Sequence, residues 1–343
     1  MTGVLSLLIS IAMTLSTVLA NGQNSDFLKM LEYGIKAPSG HNTQPWKFKV
    51  NENSIDVYPN FNKELSVVDG NHRELYISLG CATENICIAA NELGYLYQTR
   101  IIEQDSLYFI RISLQKAPAI PNPLFSQIDK RQTNRSVYKS QIISTDTISI
   151  LQKTELYQPT SVHFYKNGDE TYNTLTELIY GGNDVQYKDK AFKNELLEWM
   201  RFNPKDIKQH KDGLAYDVLG IPSLPKWLAK PIVGSFLNPK PQNKSEKEKI
   251  NSSSHLVLFT TKESTPENWI LTGQALERFF LKCTEMGIAV AFSNQPCEVP
   301  SIAEKVREQI AINNEFPMLL LRIGYADPMP YSVRKTLDEV IIE

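Results

Sequence analysis

Ser78–Tyr95 reads SLGCATENICIAANELGY, and Leu271–Ile288 reads LTGQALERFFLKCTEMGI. With Gly80 set against Gly273, Ala82 meets Ala275, Glu84 meets Glu277, Ile88 meets Leu281 and Gly94 meets Gly287. Both stretches carry apolar residues at helical spacing and end in glycine, a common residue just past a helix C-terminus. Each is followed by a strand-like run, FIRISL at Phe109–Leu114 and MLLLRI at Met318–Ile323. The period is far longer than that of a solenoid, and the shared spacing reads as a duplicated domain. Gly80 and Gly273 fall inside helical patterns, where glycine costs about 1 kcal/mol against alanine. Close approach of a second backbone is the usual compensation. The two helices are therefore expected to cross at these glycines, at the core of a pseudo-two-fold interface.

The bulk properties suit that reading. The chain has 343 residues, of which 42 % are apolar and 22 % charged, a globular balance. Its length suits two units and a sizeable core without disulfide staples. The formal charge of −2, with both signs mixed along the chain, argues against nucleic acid as a partner and gives no global attraction to an anionic membrane. Cys81, Cys87, Cys283 and Cys297 form no C-x-x-C pair and lie near no histidine at metal-ligand spacing. They read as buried or half-buried thiols, and no metal site is expected.

Val4–Ala20 is almost continuously apolar and uncharged, with Val18 and Ala20 ahead of polar Asn21–Asn24. This resembles a secretory signal peptide, although Met1–Gly3 carries no Lys or Arg. A membrane anchor and a core helix are the second and third readings. The first two imply an exported or membrane-associated protein, with the periplasm favoured. The third implies a cytoplasmic one. Residues 1–24 are set aside from the fold on this ground.

The remaining chain divides into a first half, 25–116, a linker, 117–123, holding three prolines, and a second half, 124–343. In the first half, Asp26–Lys36 reads as a helix, Trp46–Tyr58 as two strands around Asn51–Ser54, and Thr99–Leu114 as a hairpin turning at Gln104–Ser106. In the second, Leu124–Arg135 reads as a helix running into a basic loop. Asp146–Leu156, Glu170–Ile179, Lys190–Met200 and Ser301–Ile312 read as helices, and His255–Thr261 as a strand. The excursion 202–254 reads as a packed lid over Phe202–Phe236 and a solvated loop over Pro239–Ser254.

Three motifs carry chemistry. Ala37–Trp46, APSGHNTQPW, is a rigid loop dense in hydrogen-bonding groups, with Gly40 allowing close approach of a flat ligand. Taken alone, it reads first as an ordinary polar turn capped by a core tryptophan. Arg131–Arg135, RQTNR, offers two guanidinium forks and short polar side chains, a clamp for phosphate or carboxylate or else a solvated basic turn. Arg322–Lys335 reads RIGYADPMPYSVRK.

These segments resemble the nitroreductase family of flavoproteins: the first its P-S-x-x-N-x-Q-P-W loop, the second its R-x-S-x-R/K motif with Thr133 for serine, the third its closing strand and basic return. The family's order is reversed here, with the polar loop before the basic motif and one copy of each. That arrangement resembles the fused, single-chain Acg-like branch. The resemblance implies an α+β, nitroreductase-like fold duplicated in one chain, with a mixed sheet in each half flanked by helices. It implies a monomer acting as an internal pseudo-dimer around one flavin mononucleotide (FMN). Pro38, Ser39, Gly40, His41, Asn42 and Gln44 would contact the flavin. Arg131, Thr133 and Arg334 would hold its phosphate, with Asn134 in the same motif and Arg135 nearer the pyrimidine edge. Gln295 and Pro296 would meet the dimethylbenzene and N5 region. The implied activity is ping-pong NAD(P)H-dependent reduction of a nitroaromatic, quinone or similar small acceptor. No catalytic side chain is assigned, and His41 is read as a positioning donor. The alternative is a flavin-binding or sequestering protein with little turnover, closed over by the stretch around Trp227.

Overall fold

The computed structural model describes residues 25–154, 156–312 and 314–343. The apolar run Val4–Ala20, and with it the signal-peptide reading, lies outside the described residues. Helix α1 (25–34) seats Phe27, Met30 and Leu31 in the core at three- and four-residue spacing. Strands β1 (Trp46–Val50) and β2 (Ser54–Pro59) form a hairpin in which Phe48 faces Val57. Helix α2 (Arg73–Glu92) follows, then the hairpin of β3 (Tyr95–Gln104) and β4 (Leu107–Lys116). Its two turn residues, Asp105 and Ser106, both have positive φ, as a two-residue hairpin turn that preserves strand twist requires.

After the linker come helix α3 (Thr145–Gln152), strand β5 (Ser161–Lys166), helices α4 (Glu170–Lys188) and α5 (Lys190–Trp199), and the short strand β6 (Met200–Arg201). The excursion continues through α6 (Pro204–His210), β7 (Leu214–Ala215), α7 (Lys226–Phe236) and α8 (Pro239–Asn251). Strand β8 (His255–Thr261), helix α9 (Pro266–Glu285), strand β9 (Ala289–Phe292), helices α10 (Gln295–Glu298) and α11 (Pro300–Gln309) and strand β10 (Phe316–Gly324) complete the second unit. The tail ends in α12 (Leu337–Val340) and β11 (Ile341–Ile342).

Of the two larger sheets, one has the order β11-β1-β2-β4-β3 and the other β5-β8-β10-β9, while β6 and β7 pair in parallel by themselves within the excursion. The first is mixed, because β11 joins β1 in parallel with Ile341 opposite Phe48. The second is antiparallel throughout its ladders and gains one parallel bridge at its edge, Thr133 to Val290. The tail thus leaves one sheet and closes the edge of the other.

Between the sheets, α2 and α9 cross as their glycines demand. A Cβ on Gly80 would stand 2.0 Å from the Ile270 carbonyl oxygen, and one on Gly273 would stand 2.0 Å from that of Ile77. The Cys81 thiol donates to the Gly273 carbonyl at 3.1 Å across this contact. The paired glutamates of the two segments each meet an arginine. Glu84 accepts from Arg278 Nε at 2.7 Å, and Glu277 lies 3.2 Å from Arg131 Nε. One apolar core runs through the crossing, from Phe48 and Leu79 to Phe279 and Leu321. The four cysteines are buried and free.

Three sequence expectations change. Leu124–Arg135 holds only a 3-10 turn, Phe125–Gln127, because the residues after it are drawn out to pair with β9: Asn134 N–H donates to the Val290 carbonyl at 2.9 Å. Pro239–Ser254 is mostly helix α8 rather than a solvated loop. Pro239 suits the first helical turn, and Asn243 exchanges 2.9 Å hydrogen bonds with Asn183 and Asp184 of α4. Strands β5 and β9 were not anticipated, being short runs beside stronger helical patterns.

Candidate functional site

A cavity of about 490 Å³ opens between the two sheets' helices, within the range of small-molecule sites. Its floor comes from the crossing helices, through Ile77, Ser78 and Cys81 of α2 and Leu276 of α9. Three chain segments that are distant in sequence close around it: the polar loop, the basic loop and the C-terminal tail.

In the polar loop, His41, Asn42 and Gln44 all have positive φ, an arrangement that asks for external support. Asn42 supplies most of it. Its Nδ2 donates to the carbonyls of Gly213 (3.2 Å) and Val333 (3.1 Å), and its Oδ1 accepts from Arg334 at 2.9 Å. Gln44 donates to the Lys211 carbonyl at 2.8 Å and accepts from the Lys335 N–H at 2.8 Å. The loop is therefore stitched to the tail and to 211–213, and Pro38, Ser39, Gly40, His41 and Asn42 face the cavity.

The wall against which this loop rests is cationic. Arg131, buried, donates to the Lys36 carbonyl at 2.7 Å and pairs with Glu277. Arg334 donates to the carbonyls of Lys36 (3.1 Å) and Ala37 (3.2 Å), while its Nε is buried without a partner. Burial, then Arg131, pushes Arg334 down to about 9. Arg135 makes no hydrogen bond or ion pair among the described residues; burial and then Arg322 push it down to about 10. Arg334 and Arg135 remain guanidinium cations at neutral pH. Glu277, the carboxylate among them, is pushed up to about 7 by its burial, against the pull of Arg131. The balance is an uncompensated positive charge in a low-dielectric pocket, which favours an anion.

Of the thirteen residues expected at the site, the structure brings ten to this cavity: the five loop residues above, Arg131, Thr133, Arg135, Gln295 and Arg334. The Gln295 Oε1 is buried with no partner. Gln44, Asn134 and Pro296 do not line it. Gln44 and Asn134 are buried one layer behind, Asn134 donating to the Asp327 carbonyl at 2.8 Å, and Pro296 turns into the protein at the start of α10. Arg322 was not foreseen. Buried over the Tyr138 ring, it donates to the carbonyls of Asn134 (3.2 Å) and Ser136 (2.9 Å) and so holds the basic loop. Also unforeseen is a carboxyl pair at the far end, where the Asn294 amide donates to Glu74 (2.6 Å) and Glu298 (3.1 Å). Burial and then Glu298 hold Glu74 well above the usual carboxylate range.

The excursion contributes little. Between Phe202 and Phe236 only Leu214 reaches the cavity, and Trp227 is 77 % exposed on the outer surface. The side wall comes instead from α4 and α5, through Gln186, Tyr187, Phe192 and Leu196.

His41 offers a test of the loop. Burial, then Arg135, lowers it to about 4 from 6.5. Its folded pKa lies below its unfolded one, so its contribution to stability is full above pH 6.5 and falls as the pH drops towards 4. Asparagine tolerates the same positive φ. In His41→Asn, the fall of the urea midpoint between pH 7 and 4 is expected to be shallower; an unchanged slope would remove His41 from the account.

No protein-family model matches the chain. Across 326 residues it is 23 % identical to a Mycobacterium tuberculosis protein provisionally named an NAD(P)H nitroreductase, covering 91 % of this chain and 90 % of that one. Among solved structures, an FMN-dependent nitroreductase of Mycobacterium smegmatis in complex with NADPH is 15 % identical, with a TM-score of 0.39, covering 62 % of this chain and 94 % of that one. A Bacteroides fragilis nitroreductase with bound FMN is 16 % identical, with a TM-score of 0.35, covering 63 % and 95 %.

Proposed function

We propose that this chain, nitroreductase-like along nearly its whole length, holds one FMN in the cavity between its halves and passes electrons from NAD(P)H to a small acceptor. The observation that carries the reading is the cationic wall: three cavity-lining arginines with one buried carboxylate among them, beside a roomy, partly apolar slot. FMN presents a phosphate and a flat ring system, which suits both features. The orphaned Arg334 Nε and Gln295 Oε1 are further polar groups that a bound ligand would satisfy.

On this reading Arg131, Thr133 and Arg334 hold the phosphate. Arg135 would lie towards the pyrimidine edge and supply a positive charge there. Pro38–Asn42 orient the ring, and Gln295 lies towards its redox-active centre. Gln44, Asn134 and Arg322 fix the loops that carry these contacts. FMN supplies the hydride chemistry when bound. The protein's own residues bind and orient, and burial beside Glu298 holds Glu74 well above the usual carboxylate range inside the site. The single polar loop and single basic loop support one flavin per chain, and the matched helices α2 and α9 support an internal duplication that makes the monomer a pseudo-dimer. Turnover is favoured over sequestration, since no residue of α7 lines the cavity.

Purified protein is expected to be yellow, or to become so with FMN. Anaerobic NADPH or NADH should bleach the flavin band, and a nitroaromatic or quinone should restore it. A yellow protein that neither nucleotide bleaches would leave FMN binding standing and remove the reductase. A protein that cannot take up FMN would overturn the proposal.

A further inference from the structure

Helix α7 (Lys226–Phe236) is held to the body by little of its surface. Ala229 is buried against Met200 and Phe202, and Val233 packs on the same cluster with Leu196 and Leu197 of α5. The large apolar side chains point the other way. Trp227 is 77 % exposed, Phe236 60 %, Ile232 40 % and Leu228 38 %. At about 100° per residue, Trp227, Pro231, Leu228, Ile232 and Phe236 sweep one arc of the helix, which also holds Ser235, its hydroxyl donating to the Ile232 carbonyl. Lys226 and Lys230 fall together beyond the Trp227 edge of that arc. A contiguous apolar face of this kind marks a docking surface, whereas scattered exposed side chains do not.

Charge identifies the occupant. Val218–Ser245 contains four lysines, Lys226, Lys230, Lys240 and Lys244, and no Asp or Glu, in a chain whose formal net charge is −2. Helix α7 itself thus carries two cations and no carboxylate in a chain that is net negative. Exposed Trp and Phe beside lysines form the amphipathic interfacial helix that lies in the headgroup layer, with rings and aliphatic chains below and ammonium groups at the phosphates. A second copy is disfavoured, since an isologous contact would set these lysines against themselves. With 11 residues, α7 is too short to cross a membrane, so its contact is peripheral.

We infer that α7 and its basic flank are a membrane-docking surface that takes a bilayer with anionic headgroups. The inference is independent of the flavin reading. The apolar run Val4–Ala20 could itself hold the full chain on lipid, so the readout must report from α7. Full-length protein is mixed with phosphatidylcholine vesicles containing about a third phosphatidylglycerol, with brominated acyl chains as quenchers. Trp46 and Trp269 are buried. Quenching of tryptophan emission is expected, and most of the quenched component should vanish in Trp227→Phe, which keeps the apolar face. Lys226→Glu with Lys230→Glu should weaken binding to these vesicles on the order of 10-fold or more, and high salt should mimic it. Vesicle binding without quenching that depends on Trp227 would place the contact in the N-terminal run and overturn the inference. So would a Trp227-dependent dimer in light scattering without lipid.

Discussion

Gly80→Val is expected to prevent α2 and α9 from closing on each other and to leave the chain without a cooperative folded state. The Cβ of any other residue there would stand 2.0 Å from the Ile270 carbonyl oxygen and 2.9 Å from the Gly273 Cα. Both are backbone atoms, so no side chain can swing aside and the helices themselves must part. Over-packing a core typically costs about 1–3 kcal/mol when neighbours can relax. Here they cannot without opening the shared core, so the cost is expected to exceed that range. Gly273→Val should behave alike, its Cβ lying 2.0 Å from the Ile77 oxygen. Thermal or urea unfolding followed by circular dichroism checks both. Gly168→Ala is the control, since nothing lies within 4 Å of a Cβ there. It suffers only the strain of its positive φ. If Gly80→Val unfolds with a near-native midpoint, the close crossing is not what holds the halves together.

Arg135→Ala is expected to weaken FMN binding about 10- to 100-fold while leaving the ligand-free protein as stable as before, or more so. Both effects follow from the same isolation. Arg135 lines the cavity but makes no hydrogen bond or ion pair among the described residues, and Arg322 repels it. Its removal breaks nothing in the free protein and relieves an unfavourable burial. A charge-assisted hydrogen bond to a ligand contributes about 1.5–3 kcal/mol, which gives the expected loss of affinity. Opposite signs in FMN titration and in the unfolding midpoint would separate a ligand-binding cation from a structural one. Weaker binding with equal loss of stability would place Arg135 among the residues that merely hold the loop. Arg334→Ala cannot make this distinction, because Arg334 also ties the Asn42 side chain and the Lys36 and Ala37 carbonyls.

Much of this architecture was legible locally. Gly80 and Gly273 announced a close crossing because a mid-helix glycine has a cost that only a neighbouring backbone offsets. The polar and basic loops were legible because Pro, Gly, Asn and Arg carry their conformational and charge preferences wherever they sit. The hairpin turn at Asp105–Ser106 was set by two residues and found within one. Elsewhere local signals misled. Pro239–Ser254 is polar enough to read as solvated loop, yet an amide exchange with α4 makes it helix.

The sequence by itself therefore determined the first half's strand pairs, the α2–α9 crossing and the residue types that the proposed flavin site needs. Only the tertiary structure decided which of them meet. It sent the tail across to β1, placed Arg334 on Asn42, paired Arg131 with Glu277 and brought Glu74 to Glu298. It also turned Trp227 outward when the lid reading had it over the cavity. The reason is physical. Periodicity and turn chemistry act over a few residues, whereas each of those contacts joins side chains well over a hundred residues apart. Their energies exist only once the two larger sheets have closed around α2 and α9.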